Sequence, residues 1–225
     1  LMAIIASLIR EETDNVFHSP KEVEDELKLP ILGHLPHISV LKNLRKEKQN
    51  LFRYLELFDN DSEELEEKKE NRYERFFYQE SLREILTSIK FLKTDSNLKS
   101  ICLTSSTTGE GKTLVNILLA KTFAELGNKV LLIDCDLRKP QIHYRLGLDN
   151  ILGISNVLTQ DDLGWRDVLN NVKDVENFFA IPSGTRPPDP PRLFSSNIMS
   201  NLIKDISESD EFDLIIYDAP PLLGL

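Results

Sequence analysis

The sequence predicts an α/β domain with a mostly parallel sheet covered by helices on both faces, on three observations. From about residue 76 onward, short apolar runs alternate with amphipathic segments. Runs of this kind are strands buried on both sides, and helical segments between them are the crossovers a parallel sheet needs. Two of the runs close in aspartate, at Asp134 and Asp218, and a third leads through a glycine-containing stretch into a helix.

The elements follow in chain order. The start, Leu1-Met-Ala-Ile-Ile-Ala-Ser-Leu-Ile9, is apolar and gives way to Arg10-Glu-Glu-Thr-Asp14. It is shorter than the roughly 20 residues a spanning helix requires. It has no basic region before it and no small-residue cleavage site after it, so it does not read as a signal peptide. Two readings stand: the last turns of a transmembrane helix that begins upstream, or the buried start of a soluble helix. A charged helix is expected near 21–27. Leu29-Pro-Ile-Leu-Gly-His-Leu-Pro36 then reads as a short strand bracketed by prolines and containing a glycine. Residues 39–75 hold the densest charge and read as a solvated linker or helix. A helix is expected over 77–92, with Leu82, Ile85, Leu86, Ile89 and Phe91 as its apolar positions. Strands are expected at 100–104, 129–134, 177–181 and 212–218, and helices at 112–125 and 198–207, with Gly127 as a helix stop. Three parts result: 1–38, 39–75, and an α/β domain over 76–225.

Composition narrows the function. The chain has 225 residues and a formal net charge of -10, which excludes a bulk nucleic-acid partner because phosphate backbones require a basic surface. The two cysteines, Cys102 and Cys135, lie in or at the end of apolar runs, which suits reduced thiols better than a disulfide framework.

The chemistry concentrates in Ile101-Cys-Leu-Thr-Ser-Ser-Thr-Thr-Gly-Glu-Gly-Lys-Thr-Leu114. A strand, a glycine-containing loop and a helix in this order form a phosphate-binding loop. Its backbone N–H groups wrap a polyphosphate and the helix start adds partial positive charge. Thr108, Gly109, Glu110, Gly111, Lys112, Thr113 and Leu114 would hold ATP, with Lys112 reaching the β- and γ-phosphates and the Thr113 hydroxyl ligating Mg2+. Ser106 stands where the general pattern has its first glycine. After the next strand, Asp134 and Asp136 stand at i and i+2 and could share a face at its C-terminal edge, where open α/β sheets bind ligands. The run ending in Asp218 has the form of a magnesium-side partner to such a loop.

Three stretches together resemble the bacterial tyrosine kinases, the cytoplasmic domains of exopolysaccharide chain-length regulators. They are Ser-Ser-Thr-Thr-Gly-Glu-Gly-Lys-Thr (105–113), Leu-Ile-Asp-Cys-Asp-Leu-Arg-Lys-Pro (132–140) and Ile-Ile-Tyr-Asp-Ala-Pro-Pro (215–221). Glu80-Ser-Leu-Arg83, Gly153-Ile-Ser-Asn-Val-Leu158 and Ser183-Gly-Thr-Arg-Pro-Pro-Asp-Pro-Pro191 extend the likeness, and 29–36 resembles the stretch after that family's second transmembrane helix. The resemblance implies a P-loop fold and ATP-dependent phosphotransfer to tyrosines of the same or a neighbouring subunit. It also implies homo-oligomers, a polysaccharide export machinery as partner, and a place on the cytoplasmic face of the bacterial inner membrane reached through an upstream segment. By the same resemblance Lys112, Asp134 and Asp136 carry catalysis. Asp134 acts on magnesium, Asp136 serves as base or metal ligand near the acceptor hydroxyl, and Thr113, Asp134 and Asp218 form the metal shell. Arg138 is a weaker candidate.

Two departures accompany it. The family's E-x-x-R-x-x-R helix reads Glu80-x-x-Arg83-x-x-Leu86, which puts its oligomer contact in question, and the chain closes at Leu225, before the further strands and tyrosine-rich tail of the family. The domain is therefore expected to be incomplete at its C-terminus. Tyr54, Tyr73, Tyr78, Tyr144 and Tyr217 remain as tyrosines. A nucleotide-gated assembly module with little phosphotransfer is one alternative. A ParA/MinD-type ATPase is another, against which Thr107 counts, since it occupies the position of those proteins' extra lysine.

Overall fold

The computed structural model describes residues 17, 19–37, 66–91 and 98–223. The apolar start, Tyr54 and the segment 38–65 lie outside the described residues. Among the described residues no helix is long and apolar enough to cross a membrane.

Helix α1 (Pro20–Leu27) opens on Ser19, whose hydroxyl accepts the Glu22 N–H, with proline in its first turn. Helix α2 is Glu66–Phe91. Then follow β1 (Ser100–Leu103), α3 (Lys112–Glu125), β2 (Val130–Asp134), α4 (Ile142–Leu146), α5 (Ile154–Val157) and a 3-10 turn at Trp165–Val168. The chain continues through β3 (Asn170–Asn171), β4 (Phe178–Ile181), α6 (Pro190–Phe194), α7 (Asn197–Glu208) and β5 (Leu214–Asp218). The strands form one sheet in the order β1-β5-β2-β4-β3. All neighbours run parallel except β3, which lies antiparallel on β4. The expected α/β class with a mostly parallel sheet is the observed one.

Alternation along the strands divides the core into two layers. Val130, Leu132, Phe178, Ala180, Leu214 and Ile216 pack with α2 and α3. Leu131, Ile133, Ile181, Ile215 and Tyr217 pack with α7 and the Trp165 turn. Because successive side chains point to opposite faces, both faces of β2 and β5 are buried, and the runs read as unbroken apolar sequence. Helix α3 is buried over most of its circumference, with Ile117, Leu119 and Ala120 at most 1% exposed, since it lies between the sheet and α2.

Two expectations need correction, and one strand was not expected. Helix α2 begins at Glu66, within the charged stretch and ahead of the expected residue 77. Its first turns are rich in Glu, Lys and Arg, which favour helix without writing an apolar stripe. Residues 29–36 do not form a strand. Pro30 and Pro36 cannot donate to a ladder, and the segment lies on α2 instead. There Leu32 and Leu35 join the first core layer, and a Cβ on Gly33 would come within 2.3 Å of Ile85 Cγ1. The two-residue strand β3 is polar and short, so periodicity does not announce it.

Leu86, which replaces the arginine of the resembled helix motif, is 2% exposed and belongs to the core layer between α2 and α3. Leu86→Ala is expected to lower stability by about 2–5 kcal/mol through a lost side chain and a residual cavity. Leu86→Arg, which would bury a charge in an apolar layer, should lose more. Denaturant unfolding checks both, and a loss below about 0.5 kcal/mol for the alanine variant would contradict this packing.

Candidate active site

The four parallel strands bring their C-terminal ends to one edge. Leu103 pairs with Asp218, and Asp134 pairs with Asp218 from the other side, so β5 sits between the strand leading into the loop and the strand carrying the acidic pair. Residue parity puts Asp134 and Asp218 on the same sheet face as Val130, Leu132, Leu214 and Ile216, the face that carries α3.

The loop between β1 and α3 turns through Gly109 (φ 89°) and Gly111 (φ 93°), both in the left-handed region that favours glycine. Gly111 precedes the first helical residue, and no side chain caps α3. The donors of its first turn therefore keep their capacity for an anion. The start of the loop is tied by Glu110. Its carboxylate accepts the N–H groups of Ser106 (3.0 Å) and Thr107 (3.1 Å) and the hydroxyls of Ser106 (2.5 Å) and Thr107 (2.8 Å). The Ser106 hydroxyl, then that of Thr107, hold the Glu110 carboxyl below its ordinary range. Ser106, the departure from the general pattern, has a definite task here: it anchors the loop to its own glutamate.

Asp218 is the hub. One oxygen accepts from Lys112 Nζ at 2.5 Å and from Asn116 Nδ2 at 2.5 Å, and the other accepts the Thr113 hydroxyl at 2.8 Å. The Lys112 and Asp218 side chains are 7% and 1% exposed. Burial pushes the Asp218 carboxyl upward, while Lys112 and the three hydrogen bonds pull it back, with a net rise.

Asp134 is fully buried and accepts backbone N–H groups from Asp136 (3.2 Å) and Ile142 (3.2 Å). Burial first, and then the neighbouring Asp218, raise its carboxyl to about 8. Strand β2 ends at Asp134, so the expected shared strand face for Asp134 and Asp136 is not the arrangement found. The chain turns after Asp134, and Asp136 Oδ1 accepts the Lys139 N–H at 3.0 Å. Asp136 lines the open cavity, whereas Asp134 lies beneath it.

That cavity, about 160 Å³, is lined by the loop residues Thr108–Leu114 together with Asp136, Lys139, Gln141 and Arg145. All seven expected loop residues therefore line one cavity, with Leu114 also rooted in the core. Asn116, Lys139, Gln141 and Arg145 were not expected. Asn116 had a signal, a polar residue inside an apolar helix and one turn beyond Thr113. The other three follow from the turn after β2, which no periodicity encodes.

A family profile described as an AAA domain matches residues 98–225. The Bacillus subtilis protein named tyrosine-protein kinase YwqD is 38% identical over 147 residues, covering 65% of this chain and 60% of that protein. Staphylococcus aureus CapB, named a putative tyrosine-protein kinase, is 32% identical over 143 residues, covering 64% of this chain and 61% of its own. The tyrosine-protein kinase wzc of Salmonella typhi is 34% identical over 148 residues, covering 65% of this chain and 20% of its own. The chain thus spans about three fifths of the first two relatives and one fifth of the third. Among solved structures, the kinase domain of the Escherichia coli tyrosine kinase ETK superposes with a TM-score of 0.74 at 25% identity, covering 93% of this chain and 76% of that one. The chimerical protein CapA2B2 superposes at 0.69 and 28% identity, covering 92% and 77%.

The raised Asp134 carboxyl makes a stability prediction. The folded state holds this proton up to about pH 8, whereas the unfolded chain releases it near 3.8. Its contribution is full below the lower value and is lost as pH rises through the higher one. Without metal, Asp134→Asn should gain stability relative to the parent steadily from pH 5 to pH 8 and then hold level. Any offset due to the asparagine amide does not depend on pH, so the slope decides. Denaturation at a series of pH values in chelator measures it, and a pH-independent difference would show that Asp134 is ionised in the fold.

Proposed function

This chain belongs to the AAA domain family, and we propose that it is an ATP-dependent protein-tyrosine autokinase acting in exopolysaccharide or capsule synthesis. The observation that carries the reading is that a phosphate-type loop and a second carboxylate, Asp136, line the same cavity. Hydrolases and kinases alike place such a group at the nucleophile, water in one and a hydroxyl in the other. The names of the relatives point the same way.

The donor set fits ATP with Mg2+. The Thr113 hydroxyl and the Asp218 carboxylate are hard oxygen donors at the loop, the kind magnesium takes, and Asp134 would join them once ionised. Among the described residues no cluster of three or more His, Cys, Asp or Glu side chains forms a metal cage of its own. Bound magnesium would supply charge neutralisation on the polyphosphate.

The chain's own residues do the rest. Lys112, now on Asp218, turns to the phosphates and offsets the charge that develops on the transferred group. Its departure frees a lone-pair direction on Asp218, while Thr113 and Asn116 keep that carboxylate oriented. Asp136, held by the Lys139 N–H, takes the proton of the attacking tyrosine hydroxyl. Among the described tyrosines, Tyr73 (68% exposed) and Tyr144 (44% exposed) can be reached by another subunit, while Tyr78 and Tyr217 are buried. Residues 76–225 form the catalytic unit in this reading. Residues 1–38 lead from the inner membrane on its cytoplasmic side, the charged stretch 39–75 connects them to the catalytic unit and includes the start of α2, and copies assemble beside the export machinery.

Lys112→Ala should abolish ATP binding, measured by calorimetry or a fluorescent nucleotide; unchanged affinity would refute the loop assignment. Asp136→Asn should bind ATP as the parent does and lose transfer by about 100-fold or more, read as labelled phosphate on tyrosine. Undiminished transfer would remove Asp136 from the reaction. ATP binding with no tyrosine labelling in the parent would favour a nucleotide-gated assembly module over a kinase.

A further inference from the structure

We infer that Arg145 is a phosphate-contacting residue acting within its own chain, which recognises the terminal phosphate of a nucleoside triphosphate and so distinguishes triphosphate from diphosphate. This rests on the nucleotide reading of the site above.

Arg145 is 8% exposed, yet it lines the cavity formed by the loop. A guanidinium stays charged in a protein, and burial lowers its pKa without neutralising it. Its place is fixed from two sides. Nη2 donates to Gln141 Oε1 at 3.3 Å, one turn earlier. Helix α4, which carries Arg145, opens with the Ile142 N–H on Asp134 Oδ2, so the helix is pinned to the floor of the site.

The position selects the terminal phosphate. Arg145 lines the same cavity as Asp136 and Lys139, and as Lys112 and the start of α3. The inner phosphates belong to the loop amides and the helix start. In the proposed function the phosphate that is transferred lies toward Asp136, and Arg145 lines that same cavity. A planar, multi-donor cation there matches a tetrahedral dianion better than an ammonium group does, and it can follow the charge as it spreads over the transferred group. The side-chain fork is pre-positioned by Gln141, so little ordering entropy remains to be spent on binding.

The test compares affinities of the full chain for ADP and for a non-hydrolysable ATP analogue, each with magnesium, by calorimetry. Arg145→Ala is expected to weaken the triphosphate about tenfold or more and to change ADP by less than about twofold. Arg145→Lys should fall between the parent and the alanine variant. The ratio of the two affinities is the readout, because a reduced folded fraction lowers both equally and cancels. Equal losses for both nucleotides, or no loss for either, would make Arg145 a structural wall residue and overturn the inference. A shifted ratio with no phosphate reaching tyrosine would uphold the inference while the kinase reading fails. A parent chain that binds neither nucleotide would end both.

Discussion

The buried carboxylate of Asp218 is the constraint from which the site takes its form. It ends a strand flanked by β1 and β2, and it gathers Lys112, Thr113 and Asn116 from the first turns of α3. A buried carboxylate without partners would be costly, and its removal would leave a buried ammonium equally exposed to that cost. The pairing therefore locks the loop-to-helix junction to the centre of the sheet. In the proposed function the same lysine and carboxylate part when a polyphosphate and its metal enter.

Asp134 feels this arrangement from one strand away. With Asp218 already on the same sheet face, a second buried negative charge is disfavoured, and Asp134 holds its proton toward neutral pH. Its two backbone hydrogen bonds do structural work meanwhile, fastening the turn after β2 and the start of α4. That turn carries Asp136 and α4 carries Arg145, both of which line the cavity.

The loop shows a second economy. A general phosphate loop begins with glycine, whose backbone freedom lets the chain turn tightly. This chain has Ser106 there, and the turn is held by the Glu110 carboxylate bound to two amides and two hydroxyls. Side-chain hydrogen bonds thus do the holding, and positive φ remains only where the loop meets the helix, at Gly109 and Gly111.

By itself the sequence determined the α/β class, the helix Lys112–Glu125 to the residue, the C-terminal ends of β2, β4 and β5 and the residues of the loop. Those features are written in local patterns: apolar runs of strand length, glycines at a tight turn, and aspartates closing a strand. It also carried the family resemblance, which rests on the same stretches. Tertiary structure decided what local pattern cannot express. Helix α2 extends back into a charged stretch with no apolar stripe, and 29–36 lies over a helix through Gly33 instead of joining a sheet. Leu86 became core, and Asn116 found Asp218 across 102 positions of sequence. Asp136 left the strand face on which spacing had put it, because its backbone turned to satisfy Asp134. The physical reason is common to these cases. Spacing encodes which face a side chain takes within one element, but the partner of a buried polar group is chosen by the elements that meet around it.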